Sequence, residues 1–133
     1  STENFVERVK ELTDGKGVPV VYDSIGLNTY DKSMDCLDMF GCLVSFGNAS
    51  GPVPAIEPLT LMQKGSISLS RPTLFNYTSD PARRLAAASA LFDVVSSGKV
   101  NIEIGQTFPL AETAAAHTAL ESRQTMGSTV LIP

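Results

Sequence analysis

Thiol and imidazole metal ligands are scarce in this chain. Two cysteines, Cys36 and Cys42, and one histidine, His117, are all that 133 residues supply. The two thiols are too few and too far apart for a zinc site, so no metal is expected, and they read as buried, inert thiols in a reducing compartment. Positive charge is also short. Ten Lys and Arg against 14 Asp and Glu leave a net charge of −4, without the basic surface that a nucleic-acid partner calls for. No apolar run approaches the roughly 20 residues needed to cross a bilayer. The opening residues, STENFVERVKEL, interleave charged with apolar side chains and lack a signal-peptide core. A soluble, cytoplasmic protein with neither nucleic-acid nor membrane partner is expected. Two catalytic signatures are missing as well. Without G-x-S-x-G, Ser24 has no His–Asp partnership to make it a nucleophile. Without G-x-G-x-x-G, the tight turn that brings backbone close to a pyrophosphate is absent.

What is present is organised around Gly17–Gly51. Val18–Tyr22 and Cys42–Phe46 are short apolar runs, rich in β-formers and closed by Gly, Asn, Ser or Asp. Runs with no polar alternation suit strands buried on both faces, as in a parallel sheet. A helix is predicted between them from about Thr29 to Met39, burying Tyr30, Met34, Leu37 and Phe40 and capped by Gly41. The result is a right-handed βαβ unit. Both strands run into small polar loops, Asp23–Asn28 and Gly47–Gly51, at the edge where open parallel sheets bind ligands.

The rest of the chain follows in order. Asn4–Thr13 is predicted helical, with Phe5, Val6, Val9 and Leu12 on one face and Thr2 as its cap. The loop Gly47–Ala55 leads to a short helix near Glu57–Gln63 and an edge strand at Ser66–Ser70. Arg71–Ser79 reads as loop. Asp80-Pro81 is a helix start, Asp at N-cap and Pro at N1, for a helix to about Ser97 that Gly98 ends. Val100–Ile104 and Gln106–Leu110 are predicted strands, Ala111–Ser122 a helix, and Ser128–Ile132 a closing strand. A hydrophobic content of 43% suits one globular domain or a piece of a larger one.

Four stretches together, VVYDSIG, GCLVSFGNASG, SLSRPTL and the ending ESRQTMGSTVLIP, resemble the C-terminal part of NADPH-dependent quinone oxidoreductases. These form the zinc-free, zeta-crystallin-like branch of the medium-chain dehydrogenases/reductases. The resemblance implies an α/β fold: the second half of a Rossmann-type doubly wound parallel sheet (1–98), then a short α/β tail from the catalytic domain (99–133). It implies NADPH as cofactor and a quinone as hydride acceptor. It also implies a homodimer that pairs the Ser66–Ser70 strand with its twofold mate. By the same resemblance Ser24 lines the cofactor crevice. Phe46, Gly47 and Asn48 lie under the nicotinamide half, and Arg71, Pro72 and Thr73 form the next crevice loop. Arg123 contacts the 2′-phosphate, a role that suits a planar, permanently charged guanidinium. No catalytic acid or base is implied, because the cofactor carries the reactive bond. The family's phosphate loop and N-terminal substrate domain have no counterpart here, so the chain alone is expected to be inactive.

Plainer readings stand beside these. Arg123 can be a solvated charge near a helix C-terminus. Asp23 can be a ribose-binding acid, although a turn-capping role fits a strand end better. His117 reads as a packing or capping residue, Phe46 as core, and Asn48 and Ser50 as turn formers. Two other functions fit the pattern: an S-adenosylmethionine-dependent methyltransferase-like α/β domain, and a non-enzymatic module that dimerises through its sheet edge.

Overall fold

The computed structural model describes residues 3–133. The chain forms two compact units, 1–77 and 78–133. The first opens with α1 (Phe5–Leu12), whose N-cap is Asn4, its side chain accepting from the Val6 N–H. The cap expected at Thr2 lies outside the described residues. Then follow β1 (Val18–Asp23), α2 (Tyr30–Asp35), β2 (Leu37–Ser45), α3 (Pro58–Gln63), β3 (Ser68–Ser70) and the single turn α4 (Leu74–Tyr77). The three strands make one sheet in the order β1-β2-β3, parallel throughout.

Register explains the core. Val21, Leu43 and Leu69 stand side by side across the three strands. Leu43 is fully buried and packs with Met34, Leu37 and Ile67, while Val21, Tyr30, Ile56 and Leu61 close the cluster. Burying side chains of this size contributes roughly 1.5–3 kcal/mol each. The alternate rows, Val20–Cys42–Ser68 and Tyr22–Val44–Ser70, face the other way. Val20 and Tyr22 are exposed there, and Cys42 is only half-buried. Burial of β1 on both faces, expected from its apolar run, is therefore not seen.

The second correction concerns α2. It stops at Asp35, and the last turn predicted for it is strand instead. Leu37 pairs with Val18, and the Val18 N–H donates to the Cys36 carbonyl. Gly41 lies inside β2 rather than capping a helix. Phe40, expected to be buried, is 75% exposed at φ +62°, with its N–H donating to the Gly65 carbonyl. Pairing with β1 overrides the helical spacing of these residues. Lys64, just past α3, reaches back to α2 and pairs with Asp35 at 2.5 Å and Asp31 at 3.0 Å. Partial burial lowers its pKa, but the two carboxylates outweigh that and hold it above the ordinary lysine value.

The second unit contains α5 (Pro81–Ser96), β4 (Ile104–Pro109), a 3₁₀ turn at Leu110–Glu112, α6 (Thr113–Glu121) and β5 (Ser128–Ile132). Asp80 caps α5 through the Arg83 N–H, with Pro81 in its first turn. β4 and β5 pair in parallel. The strand predicted at Val100–Ile104 does not form; one strand begins at Ile104. Its partner β5 offers five residues, and Ile104 already sits opposite the first, Ser128; the Ser128 N–H still reaches the Glu103 carbonyl at 2.7 Å, but no β5 residue stands opposite 100–103 in the register.

Candidate functional site

Two loops leave the carboxyl ends of adjacent parallel strands, and backbone bonds close them onto each other. The Phe46 N–H donates to the Asp23 carbonyl at 2.9 Å, Ala49 N–H to Ser24 at 3.2 Å and Ser50 N–H to Ile25 at 2.8 Å. In return the Leu27 N–H donates to the Gly51 carbonyl at 3.0 Å, and the Asn28 N–H to Ser50 Oγ at 3.0 Å. The loops are so close that a Cβ added at Gly47 would collide with the Ser24 carbonyl oxygen and lie 2.9 Å from the Ser24 Cα. A rim built this way carries its polar groups on a rigid support, as ligand-binding loops require.

Asp23 organises this rim. It is 4% exposed, and its carboxylate collects four partners. The Ile25 and Gly26 N–H groups donate to Oδ1 at 2.8 and 3.0 Å. Thr29 Oγ1 lies 3.0 Å from Oδ1 and 2.8 Å from Oδ2, and Ser33 Oγ donates to Oδ2 at 2.7 Å. Burial by itself pushes this carboxyl up. The bonds from Gly26, Ser33, Thr29 and Ile25 together outweigh it and hold the group below the ordinary carboxylate range. Asp23 thus spends its acceptors on the loop and the first turn of α2, in keeping with the turn-capping reading. Ribose binding would compete with these bonds.

Beside the rim, a cavity of about 290 Å³ is lined by Ser45, Asn48, Pro52, Val53, Pro54, Ile56, Leu69 and Arg71. Its walls are chiefly apolar, with Asn48 and Arg71 as polar members. Among the described residues, Ser45 Oγ is buried without a hydrogen-bond partner. A wider groove is lined by Phe46, Arg71, Pro72, Thr73, Leu74 and Tyr77. Of the residues singled out from the sequence, Ser24, Gly47 and Asn48 meet at the paired loops. Phe46, Arg71, Pro72 and Thr73 share the groove, and Arg71 reaches both spaces. Phe46 is half-exposed rather than core. Arg123 belongs to the second unit; it follows α6 at φ +57°, exposed, with its N–H donating to the Leu120 carbonyl. His117 is exposed on α6 and lines a small apolar cavity with Ala116, Leu120, Thr129 and Leu131. Sequence reasoning passed over Ser45, and the signal was slight: one hydroxyl inside the apolar run Cys42–Phe46.

Chemically, the arrangement offers hydrogen bonding, apolar ring contact and a guanidinium. No nucleophile–base pair is present in it. Among the described residues, no group of three or more His, Cys, Asp or Glu is placed to hold a metal ion, and no helix is long and apolar enough to cross a membrane. A chiefly apolar cavity with a few polar members, Asn48 and Arg71 among them, suits a small organic ligand.

Comparison with known proteins agrees with this geometry. The family described as zinc-binding dehydrogenase matches residues 1–131. A quinone oxidoreductase of Pseudomonas aeruginosa is 53% identical over 133 residues, which is 100% of this chain and 41% of that protein. A 2-haloacrylate reductase of Burkholderia is 45% identical over 136 residues, 100% of this chain and 40% of that protein. The Escherichia coli quinone oxidoreductase solved with NADPH superposes with a TM-score of 0.88 at 44% identity, covering 99% of this chain and 41% of that one. The chain thus spans about two-fifths of the length of these relatives, and the names of these three, all oxidoreductases or reductases, give the methyltransferase reading no support. The parallel sheet, the paired loops at its carboxyl edge and the family match over residues 1–131 place the chain in the zinc-binding dehydrogenase family, with quinone oxidoreductases among its relatives.

Proposed function

We propose that this chain forms the nicotinamide side of the cofactor site in an NADPH-dependent quinone reductase. The supporting observation is the joined rim at the carboxyl ends of β1 and β2, with a chiefly apolar cavity beside it that Asn48 and Arg71 also line. In this reading residues 1–98 belong to the cofactor domain and 99–133 to a tail of the catalytic domain. Bound NADPH supplies the hydride that reduces the quinone. The chain's own residues hold and orient it: Ser24, Gly47 and Asn48 present the rim, Phe46 offers a ring face, and Arg71, Pro72 and Thr73 bound the neighbouring groove. The setting is cytoplasmic.

Arg123 is assigned to the 2′-phosphate. A charge-assisted hydrogen bond contributes about 1.5–3 kcal/mol, so Arg123→Ala in the full-length protein should raise the KM for NADPH about 10- to 100-fold and leave that for NADH nearly unchanged. Equal effects on the two cofactors would remove the role. Steady-state oxidation of NADPH by a quinone tests the function itself, and its absence in the full-length protein would refute it.

Assembly through the sheet edge belongs to the same reading. β3 is the last strand of its sheet, it is short, and all three of its residues are exposed, so its outer edge can pair with a second copy. Sedimentation at micromolar concentration should show a dimer. A monomeric wild type would contradict the pairing.

A further inference from the structure

We infer that Lys64 is a positioning residue: by tying the end of α3 to α2, it holds residues 52–56 in place as one wall of the cavity. The inference rests on the NADPH reading above. Lys64 does not itself line the cavity and acts on it only through the chain it anchors.

Three observations carry it. The first is how loosely the wall is held along its own length. Pro52, Val53, Pro54 and Ile56 line the cavity, yet among the described residues no backbone hydrogen bond joins 52–56 to the rest of the unit. Two of these residues are prolines, with no N–H to give. Only Ile56 packs against the core cluster. The wall is therefore fixed chiefly from its two ends. At the rim end the Gly51 carbonyl accepts from the Leu27 N–H at 3.0 Å. At the other end stands α3, which has no buried residue and no side-chain cap. Its contribution to the core cluster is the half-buried Leu61.

The second observation is what anchors that end. Lys64 directly follows α3 and pairs with Asp35 at 2.5 Å and Asp31 at 3.0 Å. The two carboxylates stand one turn apart on α2, and the lysine side chain is only 21% exposed. A cation shared by two carboxylates and largely shielded from water is weakened less by solvent and salt than a single exposed pair. The third is where Lys64 sits in the chain. It divides the two later stretches that line the cavity, 52–56 before it and Leu69 with Arg71 after it. The later stretch has anchors of its own: the Gly65 carbonyl accepts from the Phe40 N–H, Ile67 is in the core, and β3 pairs with β2. Releasing Lys64 therefore frees 52–56 and leaves Leu69 and Arg71 in place.

The test compares two ligands on four full-length proteins. Wild type, Lys64→Met, Lys64→Arg and the double variant Asp31→Asn with Asp35→Asn are titrated calorimetrically. The ligands are NADPH and adenosine 2′,5′-bisphosphate, which lacks the nicotinamide. Lys64→Met and the double variant should each bind NADPH about three- to tenfold more weakly, the loss expected for a shielded pair of ionic contacts. Lys64→Arg, which keeps the charge, should stay within about twofold of wild type, and the bisphosphate should bind all four alike. Titration reads the folded protein, so a lysine that merely stabilised the fold would lower the unfolding temperature of Lys64→Met and leave its NADPH affinity unchanged. That result would overturn the assignment, as would equal losses for both ligands or a loss in Lys64→Arg as large as in Lys64→Met. If Lys64→Met does not fold, the double variant decides by the same readings. A wild type that binds the bisphosphate but not NADPH would instead refute the underlying cofactor reading.

Discussion

Asp23→Ala should destabilise the first unit by about 3–4 kcal/mol, measured by urea denaturation at neutral pH. The substitution removes the shared acceptor of two backbone N–H groups and two hydroxyls. Each donor left buried and unpaired costs on the order of 1–3 kcal/mol, moderated where the loop opens to water. Asp23→Asn keeps one acceptor oxygen and should lose about half as much. The pH dependence has a definite sign. The folded-state pKa lies below the ordinary carboxylate value, so the native state binds fewer protons than the unfolded one in the interval between them. The contribution is complete above the ordinary value, near pH 4, and fades as pH falls through the lower folded value. The stability gap between wild type and Asp23→Ala should therefore be flat at neutral pH and narrow in acid. A gap independent of pH down to the acid transition would mean that the hydrogen bonds, and not the charge, hold the rim. Ser33→Ala combined with Thr29→Val should show coupling, since both hydroxyls reach one carboxylate.

The parts of this fold that the sequence reveals are those decided locally. Asp80 followed by Pro81 starts a helix by chemistry contained in two residues, and α5 begins there. Asp23 at the end of an apolar run caps its own turn, and the two apolar runs lie parallel with their polar loops at one edge. Where partners distant in sequence decide, local pattern misleads. Tyr30, Met34, Leu37 and Phe40 have helical spacing, yet Leu37 is drawn into the sheet by Val18 and Phe40 turns outward. Val100–Ile104 alternates like a strand, but only its last residue, Ile104, finds a register partner on β5. The site shows the same division. The loops could be named from their composition and from the family resemblance. The unpartnered state of Ser45 could not, because it depends on where the valences of Asp23 go.

Gly47→Ala should be the more damaging of two glycine substitutions, and the contrast separates space from conformation. At Gly98, which ends α5 at φ +74°, an added Cβ meets nothing within 4 Å. Its replacement by alanine costs only left-handed strain, about 1 kcal/mol, and should leave NADPH binding intact. Gly47 has no positive φ to protect; what it lacks is room. The new carbon would press on the carbonyl oxygen, Cα and carbonyl carbon of Ser24, all backbone atoms that no rotamer change can move. Relief requires the two loops to part, which strains the bonds from Phe46 to Asp23 and from Ala49 to Ser24. Overpacking of this kind costs about 1–3 kcal/mol, and lost loop bonds add to it. Because the loops move, the cavity that Asn48 and Arg71 line changes shape, and NADPH affinity should fall at least tenfold, or about 1.4 kcal/mol. Gly47→Ala with full affinity would show that the junction of the loops is not what shapes the ligand site. Equal stability losses at Gly47 and Gly98 would show that chain conformation, rather than contact with Ser24, fixes glycine at the rim.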